Sequence, residues 1–428
     1  MTGNINICLC GDILISRRIP AIMPDYLQEI SGIIKQYECC FGNLETTIRR
    51  NEGYPEAYPG GTYTSADPLC LHDLKNLGFN LFNTANNHAM DYSHDGLLAT
   101  LEYLDQEDIP HAGTGKNLSE AAAPAFFECR DGRIALIGVT SSFHDSYLAG
   151  PQNQEVKGRP GVAPLRHTAI YELNQRNFED LQRIAEDSGI NDYHNQARKE
   201  GYLPQSQWLK FGSFDFSPGK NNCVNTEPLA SDLTRTINVV SDARLQADVV
   251  IVSIHSHQFK NKDKHIPPDF ISKFAKECIK AGADIVVCHG PHVMRGIERY
   301  DNGIIFHGLG NFMLQLETRR KVGEEEYIKA GITRQDCSGF GGLVKLRSKN
   351  GAVGLVADPD AWVSYFVGLS IRNGHKQIVL YPIEISKGYN GGCPKLSNDI
   401  SILKEVQKMS SSYNTEIIIK EARGYIQW

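Results

Sequence analysis

Long apolar runs are missing: nothing in these 428 residues approaches the roughly 18 consecutive apolar residues of a membrane span, so no spanning helix is expected. A basic surplus is missing too. Lys and Arg number 44 against 50 Asp and Glu, a formal charge of −6, which excludes a general nucleic-acid binder because no excess is left to neutralise phosphates. The opening Met1-Thr-Gly-Asn-Ile-Asn-Ile-Cys-Leu-Cys10 has no basic leader, long apolar segment or cleavage site, and reads as the start of a cytoplasmic protein. Cysteine is not scarce, but the count of 11 is odd and no Cys-x-x-Cys pair occurs, which argues against a disulfide framework or a zinc site. Cys8, Cys10, Cys39, Cys40, Cys278 and Cys288 sit in apolar runs and read as buried free thiols. Internal repeats and low-complexity segments are absent.

The composition that remains, 41% apolar and 22% charged, is that of an ordinary globular chain. Short apolar segments alternate with amphipathic ones, the rhythm of an α/β fold. Strands are expected around residues 5–11, 39–45, 80–83, 133–140, 248–254, 284–288 and 303–306. Helices are expected near 22–37, from Asp67-Pro68 through Leu77, and near 96–108, 229–245 and 269–281. Residues 50–68, rich in Gly, Pro and Tyr, read as a long loop over a site. Residues 141–225 lose the rhythm and read as an insertion or lid, with a helix-like piece near 171–186. Towards the end, 342–346, 377–385 and 415–419 read as strands and 400–410 as a helix. The expected organisation is one domain. Residues 1–348 carry its catalytic part, and 349–428 complete it.

Five of these strands run into a polar packet: Asp12; Asn43 and Glu45; Asn86, Asn87 and His88, with Asp91 just beyond; His255 and His257; His289 and His292. Strands of an α/β layer align their ends on one edge, so the packets converge. Carboxylate, amide oxygen and imidazole together are a ligand set for a divalent cation.

On these residues the sequence resembles the CapA family of poly-γ-glutamate capsule synthesis. The motifs are Cys10-Gly-Asp-Ile-Leu-Ile-Ser-Arg17, Gly42-Asn-Leu-Glu-Thr46, Ala85-Asn-Asn-His-Ala-Met-Asp91, Ser253-Ile-His255, His289-Gly-Pro-His292 and Leu309-Gly-Asn-Phe312. The resemblance covers most of the chain apart from the middle insertion. It implies a calcineurin-like metallophosphatase fold, a four-layer α-β-β-α sandwich with an insertion. By position it implies Asp12, Glu45, Asn87, His255 and His289 as metal ligands, with His292 a ligand or catalytic neighbour. It implies His88 as the acid or transition-state donor, oriented by Asp91. Arg17 matches a family arginine and is a candidate for holding a substrate carboxylate, with a surface cap as the alternative. Arg295 is the stronger anion-binding candidate. His257 is assigned beside the substrate or behind the ligands, with an ordinary loop histidine as the alternative. Asn311 is expected to fix the Gly308–Gly310 turn through the backbone.

Two departures bear on the metal. Metallophosphatases open with Asp-x-His, where this chain has Leu14, and continue with Gly-Asp-x-x-Asp, where it has Gly42-Asn-Leu-Glu45. Losing a His and an Asp favours one ion, or a second held weakly. The oxygen share favours Ca, Mg or Mn, with Zn or Fe kept open by the histidines. The leading expectation is a metal-dependent hydrolase of an amide or ester in a peptide or polyglutamate partner. The rivals are a metal-dependent peptide epimerase and a non-catalytic capsule-assembly subunit.

Overall fold

Alternation along the strands decides where the layers lie. The computed structural model describes residues 4–20, 23–316, 322–337, 339–372, 375–388 and 391–428. In the Asn4–Leu14 strand, Ile5, Ile7 and Leu9 join one apolar cluster while Cys8 and Cys10 join another, as the two-residue period of a strand requires. This strand runs through the middle of the larger sheet. On one side it pairs in parallel with Cys39–Leu44, followed by Leu81–Asn83 and His111–Ala112. On the other it pairs antiparallel with Val363–Arg372, followed by His375–Ile385, Arg423–Gln427 and Ile418–Lys420. The end of the chain thus extends the sheet that its beginning opens.

A second sheet runs, in order, through Ile297–Tyr300, Gly303–Phe306, Ile285–His289, Val249–His255, Gly132–Thr140 and Ala125–Cys129, with parallel pairing in its middle. Its Val249, Ile251, Ile285 and Val287 meet Ile7, Leu9, Cys39 and Phe41 of the first sheet in one apolar cluster. Each fully buried Leu, Ile or Phe of that layer contributes about 1.5–3 kcal/mol. Leu27, Ile30 and Ile34 of the Asp25–Ile34 helix and Leu71, Leu74 and Leu77 of the Leu69–Leu77 helix join Cys8 and Cys10 on the far side of the first sheet. Phe270, Phe274 and Cys278 of the Asp269–Lys280 helix join Val250 and Val286 on the far side of the second. Spacings of three and four give each helix one apolar stripe, which a sheet face then covers. The architecture is mixed α/β. Among the described residues no helix is long and apolar enough to cross a membrane.

Some expected elements change. The run at 342–346 belongs to a helix, Gly339–Arg347, and Leu343 packs with Tyr327 of the preceding helix Glu324–Ala330. So short an apolar run does not separate strand from helix by periodicity. The piece at 171–186 begins as a strand, His167–Asn174, before the helix Gln175–Ser188. The helix expected from Ile22 starts at Asp25, and Ile22 lies outside the described residues.

Within the stretch that loses the rhythm lies a sheet of its own, in the order Leu209–Phe211, Phe214–Gly219, His167–Asn174 and Cys223–Pro228. Its two helices bury little: Ala185 alone in Gln175–Ser188, and no residue in Asp192–Lys199. It is seated on the second sheet's helix layer, where His167 stacks on Phe270 at 4.0 Å between ring centroids.

Candidate metal centre

The site continues the inter-sheet face of each strand. In Val249–His255 that face carries Val249, Ile251, Ser253 and His255; in Ile285–His289 it carries Ile285, Val287 and His289. Cys39 and Phe41 lead to Asn43, and Leu81 leads to Asn83. The first strand alone would aim Asp12 the wrong way, on the face of Cys8 and Cys10. A register shift between Leu9 and Asp12 corrects this: Ile13 and Ile15 resume the outer series, and Asp12 turns inward. Gly11 permits the kink. A Cβ there would lie 1.8 Å from Gly310 O, the carbonyl that accepts from Asp12 N–H at 3.0 Å.

Asp12 organises the centre. Its Oδ1 accepts from Asn43 Nδ2 at 2.8 Å and its Oδ2 from Gly290 N–H at 3.1 Å. His289 Nδ1 stands 3.8 Å from Oδ1, His255 Nδ1 stands 3.9 Å from Oδ1, and His292 Nδ1 stands 3.6 Å from Oδ2. Glu45 Oε1 faces three imidazoles, His255 Nε2 at 3.7 Å and the Nε2 atoms of His257 and His292 at 3.9 Å. These gaps are too wide for hydrogen bonds and bring several donor atoms to one point. His292 holds a left-handed backbone, φ 58°, and its Nδ1 lies 2.8 Å from Asn311 Oδ1.

The Asn86–Asp91 packet forms the neighbouring wall. Asn87 Oδ1 stands 3.3 Å from His257 Nε2, and Asn87 Nδ2 donates to Gly60 O at 2.6 Å. His88 Nδ1 lies 2.8 Å from Asp91 Oδ2, with both groups buried. Asp91 is fixed in turn by the N–H groups of Gly60, at 2.9 Å, and Thr64, at 2.6 Å. The 50–68 loop therefore reaches the site through Gly60 and Thr64. Such a carboxylate sets the imidazole tautomer and leaves Nε2 for chemistry.

Burial polarises the protonation states in opposite directions. It pushes Glu45 well above the usual carboxylate range, and the nearby Asp12 and Asp91 add to the effect. It pushes His255 and His257 well below the usual imidazole range, helped by the neighbouring imidazoles. His289 falls to about 4 through burial, against the pull of Asp12, and His292 falls in the same direction for the same reason. Neutral imidazoles are in the form that binds metal.

A bound ion fits this set. Both Glu45 oxygens, His255 Nε2 and both ring nitrogens of His289 are buried without a hydrogen-bond partner among the described residues. Buried polar atoms are ordinarily satisfied, and a cation at the centre would satisfy these. Asp12, Glu45 and His255, and likewise Glu45, His257 and His292, bring one ligand atom each within 4.8 Å of one another.

The structure gathers Asp12, Glu45, Asn87, His88, Asp91, His255, His257, His289 and His292. The two arginines have backbone carbonyls as partners. Arg295 is 0% exposed and donates to the carbonyls of Lys264 at 2.7 Å and Gln258 at 3.0 Å, so it ties loops together instead of meeting an anion. Arg17 donates to Gly391 O at 3.0 Å. Sequence reasoning underrated His257, which faces Glu45 as a ligand would. It also missed the amide relay in which Asn83 Nδ2 donates to Asn43 Oδ1 at 2.8 Å. Two asparagines at matching strand ends were the available signal. Asn311, expected to fix the Gly308–Gly310 turn, has its side chain on other partners. It orients His292, and its Nδ2 donates to Ala361 O at 2.9 Å.

Fold and site together define a class: an α/β protein whose two sheets gather carboxylate, amide and imidazole groups able to hold a metal ion at their strand ends. The family model described as bacterial capsule synthesis protein PGA_cap matches residues 6–315, and the chain belongs to that family, the CapA family. Its similarity to the uncharacterized proteins y4sH and y4uA of Sinorhizobium fredii runs at 31% identity over 440 residues, 97% of this chain and 92% of each relative. The PGA biosynthesis protein CapA of Bacillus subtilis is 25% identical over 309 residues, 71% of this chain and 61% of that protein.

Proposed function

We propose that this chain is a divalent-metal-dependent enzyme of the CapA type that hydrolyses an amide or ester in a peptide-like, γ-glutamyl-containing substrate. The observation that carries this reading is the set of orphaned ligand atoms on Glu45, His255 and His289 beside an imidazole already oriented by a carboxylate. The layering, helices over each outer face of two packed sheets, supports a calcineurin-like four-layer sandwich. Asp12, Glu45, Asn87, His255 and His289 would hold the ion, with His257 and His292 completing the set. Four imidazoles move the preference from Ca or Mg towards Mn, Fe or Zn. When bound, such an ion polarises a carbonyl and lowers the pKa of water. Asp91 holds His88 with Nε2 free to carry a proton to the leaving group. The names of the Bacillus relatives support a capsule-polymer substrate.

One observation favours a second reading, peptide epimerisation. His88 and His292 come from different strand ends, and each has Nδ1 tethered, to Asp91 and to Asn311. Two anchored imidazoles are what proton removal and return at one carbon require. Incubation with γ-glutamyl peptides in heavy water, followed by mass spectrometry, separates the readings. Cleavage products support hydrolysis. Deuterium uptake without cleavage overturns it in favour of epimerisation. An inert, metal-loaded protein overturns both and leaves an assembly subunit. A chain that takes up no divalent ion on titration also sinks both.

A further inference from the structure

The register shift that turns Asp12 inward leaves three thiols together on the opposite face of the same strands. Cys8 and Cys10 lie two residues apart on one strand, and Cys40 is the parallel partner of Cys8 on the next. The Cys8 and Cys10 sulfurs are 3.8 Å apart, and all three sulfurs lie within 4.8 Å of one another. A triangle with sides in that range has its centre roughly 2.2–2.8 Å from each corner, against roughly 2.3 Å for a metal–thiolate bond. All three are 0% exposed, packed among residues such as Ile13, Ile34 and Phe366. Every cysteine in the chain is free, so no disulfide accounts for the grouping.

We propose that Cys8, Cys10 and Cys40 form a second metal site, a three-sulfur cluster that takes a univalent thiophilic ion, copper(I). Soft sulfur donors select copper(I), zinc or iron–sulfur clusters. Structural zinc asks for four ligands, and the group offers three. The sulfurs bind as thiolates: three S–H bonds break, three S–Cu bonds form, the three protons leave to solvent, the cluster carries a net charge of −2 and nothing is oxidised. This site is independent of the function assigned to the carboxylate–imidazole centre.

The test uses the full, reduced chain under exclusion of oxygen, with Cys223→Ser to remove the exposed thiol, titrated with copper(I) against a colorimetric chelator. The expected result is one equivalent retained, with an X-ray absorption spectrum showing sulfur neighbours only. Cys8→Ala and Cys40→Ala should each lose that equivalent, and Cys278→Ala, another buried thiol, should keep it. Three outcomes overturn the proposal: no copper held against the chelator, nitrogen or oxygen neighbours in the spectrum, or undiminished binding in a folded Cys8→Ala chain. The spectrum of the chain with all three thiols decides even if a variant fails to fold.

Discussion

The inter-sheet layer has two halves made from the same strands. In the lower half Ile7, Leu9, Phe41, Leu81, Val249, Ile251, Ile285 and Val287 close an apolar core. One or two positions further along the same faces stand Asp12, Asn43, Glu45, Asn83, His255 and His289, just as buried and partly unsatisfied. Burial stabilises the first group and desolvates the second at a cost. The difference teaches that the lower half supplies the stability that lets the upper half hold unfavourable groups in place. Polar residues kept where they weaken the fold mark function.

Substitutions in the two halves should therefore separate stability from metal binding. The largest effect is expected from His289→Ala, which removes a ligand with two orphaned nitrogens. Stoichiometric metal uptake, followed by calorimetric titration and elemental analysis, should be lost, while the metal-free chain melts at or above its original temperature. A metal-binding variant that melts lower would break the comparison. The mirror experiment is Phe306→Ala, a fully buried ring in the apolar half. It should lower unfolding free energy by about 3–5 kcal/mol in denaturant titration and leave metal stoichiometry unchanged.

A smaller change sharpens the comparison inside the polar half. Asp91 orients His88 and is itself held by the N–H groups of Gly60 and Thr64, so Asp91→Asn should keep the metal. Its kcat should fall about 10- to 100-fold, as for outer partners of site histidines, with KM little altered. Loss of metal in this variant would place Asp91 itself among the ligands instead of beside them.

How much of this was legible beforehand follows the same division. Asp12, His255 and His289 stood out because short apolar runs end in polar residues there, in strands of both sheets. The register shift at Gly11 was not legible, because it depends on Gly310 from a strand-end turn far along the chain. Arg295 looked like an anion hook because charge near a site suggests a ligand. Its burial and its carbonyl partners come from loops whose path local sequence does not encode. His257 was underrated for the converse reason: it lies past the strand end, where alternation no longer says which way a side chain points. The strand expected at 342–346 failed because a five-residue apolar run carries too little period.

The finest test lies in Glu45, where stability and metal binding should move in opposite directions. Burial raises its folded pKa well above the unfolded value, so the folded chain binds the extra proton. Metal-free stability from this group is therefore gained as pH falls through that raised pKa and is complete below the unfolded value near 4.3. At neutral pH the group is a net cost. The buried histidines have the opposite sign. His255, His257, His289 and His292 have folded pKa values below the unfolded one, so their stability is present above about 6.5 and is lost as pH falls towards about 4, the value for His289. Glu45→Gln keeps the histidine term and removes the carboxylate. Metal-free Glu45→Gln should exceed the unsubstituted chain by about 1 kcal/mol near pH 8, the scale of one unsatisfied buried polar group. The advantage should vanish by about pH 4, where the unsubstituted carboxyl is protonated in both states. Both proteins should still weaken between pH 6.5 and 4, and the variant should bind metal poorly throughout. An advantage that persists unchanged at low pH would mean that Glu45→Gln improves packing, and that the carboxylate is not held against its own solvation for the sake of a cation.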